Sequence, residues 1–190
     1  MTSTAAETTT TATTLTGTWA IDPSHSRLGF SARHAMVATV RGGFREFDGT
    51  LHLDEADPAR SSAHVTIQSA SIDTSVADRD GHLRSGDFLD VETHPTLTFT
   101  STSARAAGDD EYVLVGDLTI RGVAKQVELA VAYLGTSRDA YGNLRAGFEA
   151  ETTINRKDFG LVWNVALETG GILVGDKIKI AIDISAIKQA

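Results

Sequence analysis

From Thr96 onward the chain consists almost wholly of short segments in which apolar and polar residues alternate one by one, such as Val127-Glu128-Leu129-Ala130-Val131-Ala132-Tyr133 and Lys177-Ile178-Lys179-Ile180-Ala181-Ile182-Asp183-Ile184. A period of two belongs to the half-buried β-strand, one face toward a core and the other toward water. A chain made mainly of such strands must close its sheet or double it, because an open edge of unpaired N–H and C=O groups invites aggregation. Either way the apolar faces meet in one interior, which is packed solid or left hollow.

The strands can be placed by walking the chain. A short first one at 18–21 is stopped by Asp22-Pro23-Ser24, where proline fixes φ and the polar residues favour a turn. A second runs over 26–33 with Leu28, Phe30 and Ala32 on one face, and the piece 34–40, which lacks alternation, reads as a helical turn. A third passes through Phe44, Phe47, Leu51 and Leu53, with Asp48-Gly49 as a bulge, and a fourth carries Ala63, Val65 and Ile67. Between Ser75 and Leu89 the pattern breaks, and Ser75-Val76-Ala77-Asp78 has capping-box spacing. This predicts one short, charged helix that plugs an end of the sheet with Leu83 and Phe88. Strands resume at 96–103, 112–120, 123–134, 144–155 and 176–187, with hairpin signals at Gly108-Asp109-Asp110, Arg121-Gly122 and Tyr141-Gly142-Asn143. The long segment 159–175 is apolar where a surface loop would be polar, so it is expected to cover something.

The fold expected is all-β: an extended antiparallel barrel of eight or nine strands in meander order, lipocalin-like, with one short helix at an end. Such a barrel is just wide enough for side chains or one ligand. Small residues among its inward sets, Ala32, Ala63, Gly116, Ala146 and Ala150, would leave volume unfilled. Trp19, Phe30, Phe44, Phe47, Phe99, Phe148, Phe159 and Trp163 are the side chains that would fill it, and the residues alone leave both outcomes open.

Composition sets the outer bounds. A length of 190 residues fits one domain, taken here as 17–190 and preceded by a threonine-rich tail over 1–16 that is too polar to fold. That tail has neither the basic nor the apolar stretch of an export signal, so a cytoplasmic location is expected. A net charge of −8 without a Lys/Arg cluster argues against nucleic acid or an anionic lipid surface as main partner. No stretch reaches the ~20 apolar residues of a membrane-spanning helix, so no stable membrane insertion is expected. The chain has no cysteine, and therefore no disulfide or thiolate.

Strong catalytic motifs are absent: no Gly-rich phosphate loop, no His-Glu-x-x-His, no Gly-x-Ser-x-Gly. His52 and His64 fall on outward strand faces, while His25, His34, His82 and His94 lie at strand ends or turns where a backbone hydrogen bond explains them; no metal site or cofactor is expected. More telling are donors beside unpatterned segments, Arg33, His34 and Arg41 on one side and Asn155 and Arg156 before the apolar loop. Beside an apolar cavity they would suit an anionic or carbonyl head group; as plain strand ends they would cap carbonyls or form surface ion pairs.

Seven ordered motifs, Asp22-Pro23-Ser24-His25-Ser26, Phe30-Ser31-Ala32-Arg33-His34, Val40-Arg41-Gly42, the run from Arg79 through Asp80-Gly81-His82-Leu83-Arg84-Ser85-Gly86-Asp87 to Phe88, Pro95-Thr96-Leu97-Thr98-Phe99, the run from Gly116 through Asp117-Leu118-Thr119-Ile120-Arg121-Gly122 to Val123, and Asn155-Arg156-Lys157-Asp158-Phe159-Gly160, resemble those of the YceI-like, polyisoprenoid-binding proteins over 17–190. Asp87-Phe88-Leu89-Asp90 departs conservatively from the usual Asp-Phe-Phe-Asp, and the export signal of many members is missing. The resemblance implies a barrel whose elongated apolar tunnel holds an isoprenoid chain, often in a dimer, and no enzymatic activity. The expected tunnel residues are Leu28, Phe30, Ala32, Phe47, Val65, Ile67, Leu97, Phe99, Leu118, Leu129, Val131, Phe148, Ala150, Trp163, Ile180 and Ile182. Burying ~30 heavy atoms at ~0.3 kcal/mol each amounts to about 9 kcal/mol, sub-micromolar binding of an isoprenoid lipid or quinone for sequestration or transport. Two other readings compete: a hydrolase or isomerase using His34 or His82, and an interaction module with a solid core and a dimer face over 159–175.

Overall fold

The structure is a computed structural model and describes residues 14–168 and 170–190. Among these residues eleven strands form one antiparallel sheet: β1 (Gly17–Ile21), β2 (Arg27–His34), β3 (Ala38–Phe44), β4 (Phe47–Leu53), β5 (Ser62–Gln68), β6 (Ile72–Asp73), β7 (Thr96–Gly108), β8 (Glu111–Ile120), β9 (Val123–Arg138), β10 (Leu144–Asn155) and β11 (Val174–Lys188). The one α-helix among the described residues, α1, spans Ala77–Arg84. Of the threonine-rich tail, residues 1–13 lie outside the described residues.

Eight strands close the barrel in the order β1-β4-β5-β7-β8-β9-β10-β11, and the β1–β11 pairing seals it through Trp19↔Lys188 and Ile21↔Ala186. The remaining three follow from the brevity of β1. Asp22-Pro23 turns the chain out of the ladder after Ile21, leaving most of the 15-residue β11 unpaired on that side. β2 takes the vacant edge, pairing Leu28↔Ile182 through Ala32↔Ile178, and β3 and β6 follow it. Thus β11 is shared lengthwise, its C-terminal end by β1 and its middle by β2.

Three local expectations change. The stretch 34–40 is no helical turn but the tip and return strand of the β2–β3 hairpin. Gly49 forms no bulge, since β4 and β5 keep register from Phe47↔Ile67 to His52↔Ser62. Glycine is required there because a Cβ would come within 2.7 Å of both the Ile21 side chain and the His64 carbonyl. The capping box also does not form. Ser75 has φ of 63°, its N–H donating to Asp73 Oδ1 at 2.7 Å, and α1 begins after Val76 without a side-chain cap. Buried Asp80 reaches back instead and accepts from the Thr74 amide at 2.8 Å. The hairpin turns were better legible, as at Arg121-Gly122, whose φ values of 51° and 72° are those a two-residue type I′ turn needs.

Candidate functional site

The barrel is hollow. A cavity of about 660 Å³ runs along its interior, within the range of pockets that hold drug-sized ligands. At the end where α1 sits it is lined by His34, His82, Leu83, Phe88, Trp163 and Leu173, and there it meets exposed Arg33 and Asp78. At the opposite end it reaches Leu15, Leu53, Pro58 and Ser61. Between them the walls are aliphatic and aromatic, as strand alternation requires: Phe30 and Ala32 from β2, Val65 and Ile67 from β5, Leu129 and Val131 from β9, and Ile180 and Ile182 from β11.

The expected tunnel residues fall on this wall with one exception. Leu28, Phe30, Ala32, Val65, Ile67, Leu97, Phe99, Leu118, Leu129, Val131, Phe148, Ala150, Trp163, Ile180 and Ile182 line it. Phe47 does not; it is packed with Ile21 and Leu28 against the neighbouring strands. The aromatic residues divide between the two roles the sequence left open. Phe30, Phe44, Phe99, Phe148 and Trp163 face the cavity, whereas Trp19 and Phe159, at 0% and 1% exposure, fill their surroundings completely. The small residues divide likewise. Ala32, Ala63 and Ala150 leave space, but Ala146 is packed against Trp19, and Gly116 lies under the Phe99 ring, where a Cβ would come within 2.5 Å of Cζ.

The polar candidates separate sharply. Arg33 and His34 line the helix end of the cavity. Arg41 is exposed and Asn155 caps the following 3₁₀ turn by accepting from the Lys157 amide at 3.0 Å; neither touches the cavity. Arg156 lines it, yet all five of its N–H donors are engaged. Nε donates to the Gly175 carbonyl at 3.1 Å, Nη1 to Leu161 at 2.5 Å and Trp163 at 2.9 Å, and Nη2 to Val174 at 3.3 Å and Asp176 at 3.4 Å. Burial lowers its pKa and Asp176 opposes that shift. Its role is to satisfy the carbonyls of the irregular apolar segment after β10, which is how that segment can cover the cavity without stranding backbone polar groups. Asn164 assists, giving Nδ2 to the Val174 carbonyl at 2.7 Å and accepting the Val174 amide at 3.0 Å.

Besides exposed Asp78, two polar residues of the cavity's helix end were not among the head-group candidates. Arg79 lines the cavity while Nε and Nη2 hold the Thr74 hydroxyl and carbonyl at 2.7 and 2.9 Å, leaving Nη1 without a partner among the described residues. His82 Nε2 is hydrogen-bonded to the accepting Asp87 carboxylate at 2.9 Å, and the ring stands edge-on to both Trp163 and Phe88, with ring centroids 4.5 and 5.0 Å away. The signal for both was their position on the predicted end-plugging helix. Among the described residues no group of three or more His, Asp or Glu side chains is placed to hold a metal ion.

An antiparallel barrel closed on itself around an apolar cavity, with irregular segments across one end, is a lipocalin-like architecture. The chain belongs to the YceI-like family: residues 19–186 match the family described as YceI-like domain. It is 45% identical over 137 residues to Protein YceI of Escherichia coli O157:H7, covering 72% of this chain and 71% of that one. The crystal structure of BcnA from Burkholderia cenocepacia superposes with a TM-score of 0.75 at 25% identity, covering 87% of this chain and 98% of BcnA. A polyisoprenoid binding domain from Saccharophagus degradans, implicated in plant cell wall breakdown, shares the fold with a TM-score of 0.65 at 14% identity, over 90% of this chain and 98% of that domain. Among the described residues no helix is long and apolar enough to cross a membrane.

Proposed function

We propose that the chain binds one long, linear apolar lipid, an isoprenoid such as a polyprenyl or quinone-type molecule, and sequesters or carries it. The observation that carries this reading is the continuous apolar cavity, which reaches from Leu15 and Pro58 to His34 and Trp163 through walls that offer hydrocarbon contact over the barrel's length. A chain threaded there exchanges water for aliphatic and aromatic side chains, and burial of apolar surface drives binding. The head group belongs at the helix end, where Arg33, His34 and Nη1 of Arg79 supply donors; Arg156 has none left to give. The shared fold of a polyisoprenoid binding domain supports the same reading.

Ala150 lies mid-barrel between Val131 and Ile182, both cavity-lining, so an indole placed there obstructs a threaded chain. The Ala150→Trp protein is expected to keep the parent's circular dichroism and lose binding of a dansyl-labelled long-chain polyprenol. Unchanged affinity in a folded variant overturns the reading. Recovery of the lipid chemically unaltered distinguishes binding from turnover at His82 or His34.

A further inference from the structure

The described residues leave eight large apolar side chains exposed, and six of them, Met36, Val37, Val76, Val123, Val162 and Val165, belong to the helix end of the barrel. They are not scattered. The β2–β3 tip is joined to the apolar segment by the Ala35 amide, which donates to the Leu173 carbonyl at 2.7 Å. Val123 and Val162 share one shallow depression with Trp163. Along that segment side chains point opposite ways: Trp163 and Leu173 line the cavity, whereas Val162 and Val165 are 65% and 47% exposed. The exposed patch is therefore the rim of the cavity.

The β2–β3 turn adds a second observation. The Val37 amide donates to the His34 carbonyl at 3.2 Å, and the two central residues, Ala35 and Met36, have φ of 47° and 62°. That is the type I′ geometry of Arg121-Gly122, but here no glycine, asparagine or aspartate occupies either position. Side chains with a Cβ are disfavoured in this region, and a strained turn at a surface tip points to a use for what it displays. It displays Met36 at 64% exposure, followed by Val37 at 85%. The tip is also locally cationic. Residues 33–41 carry exposed Arg33 and Arg41 and no carboxylate, in a chain of net charge −8.

We propose that this rim docks transiently on a lipid bilayer, Met36 and Val37 entering the headgroup–acyl boundary while Arg33 and Arg41 meet lipid phosphates, so that cargo passes between bilayer and cavity without crossing water. The proposal rests on the lipid-binding reading above. Small apolar insertions flanked by cations are how peripheral proteins reach the interface, and the rim's continuity with the cavity gives the docking its purpose.

The test is stopped-flow transfer of dansyl-labelled polyprenol from phosphatidylcholine vesicles to the full chain, beside equilibrium binding of the same probe added without vesicles. In the Met36→Asp/Val37→Asp protein the transfer rate is expected to fall by about tenfold, comparable to losing one buried apolar side chain, with vesicle-free affinity unchanged. The Ala35→Asn/Met36→Gly protein keeps the turn with residues suited to it and is expected to transfer more slowly too, separating docking from folding. Equal transfer rates in parent and variants overturn docking, as does loss of vesicle-free binding in the variants, or a change in their sedimentation mass that would assign the rim to a second copy. Failure of the parent to bind the probe at all overturns the lipid-binding reading beneath it.

Discussion

The two ends of the barrel are built by opposite means. At the end away from α1, the wall beside the cavity is packed solid around Trp19, which meets Ala146 and Ala186 at 0%, 1% and 0% exposure and gives its Nε1–H to the Leu15 carbonyl at 2.8 Å. Paired strands surround it, with a register shift at Gly147/Phe148, and outside them Arg145 bridges Asp22 and Asp139 at 2.7 and 2.8 Å. The helix end is covered beyond its ladders. Its covering is a hairpin in a strained turn, an eight-residue helix without a side-chain cap, and an irregular segment whose carbonyls converge on one guanidinium. One end is finished by packing and charge, and the other by hydrogen bonds that hold open backbone in place beside an accessible cavity. The lesson is where opening can occur: segments with few packed contacts are drawn from the low-stability part of a fold.

Breaking either end should therefore look different. The largest effect is expected from Trp19→Ala, which leaves a void among Ala146, Ala186 and Leu51 and lowers global stability by about 4 kcal/mol, read by urea denaturation. Next comes Arg156→Met, expected to cost about 3 kcal/mol because several carbonyls lose their donor. Here hydrogen exchange discriminates: protection should vanish first around Trp163 and Val174, while the β7–β8 ladder stays protected. Uniform loss of protection would mean the helix end is no more separable than the other.

A smaller effect belongs to the Asp22–Arg145 pair. The Arg145 guanidinium holds the Asp22 carboxyl down at about 2 against the opposing effect of burial, with His25 and the Ser24 amide assisting, and Arg145 likewise depresses Asp139. A carboxylate depressed in the folded state contributes stability that is present above its unfolded pKa of about 4 and is lost as pH falls through its folded value. Asp22→Asn should lower the Tm by a few degrees at neutral pH and flatten the decline between pH about 4 and about 2. A parallel shift of the whole profile would show that the charge is not what matters. Smallest of all, Ala35→Asn/Met36→Gly should raise stability by about 1 kcal/mol, since both residues then suit positive φ.

The same contrast governs what the sequence could disclose. Alternation located the ladders and their inward faces because burial of one face imposes a period of two on the residues themselves, as along Ile178, Ile180 and Ile182. Hairpins announced themselves where glycine relieves the backbone, at Gly122 and Gly142, and not at Ala35-Met36, where nothing does. Roles set by distant partners left no local trace. Trp19 meets Ala146 and Ala186 across more than half the chain, Gly49 answers to Ile21, and Arg156 looked like a free head-group donor until carbonyls up to 19 residues away claimed its hydrogens. Arg79 and His82 enter the cavity lining through the placement of α1, which their own neighbours do not reveal.

Lipid carriage requires the cavity to bind one long apolar chain. Native mass spectrometry of the intact protein, after incubation with a long-chain polyprenol and removal of free lipid, tests this most directly. The predicted spectrum shows one added lipid mass per chain in the parent and none in the Ala150→Trp protein. A parent that stays at its unliganded mass, or an equal adduct on both proteins, would contradict it.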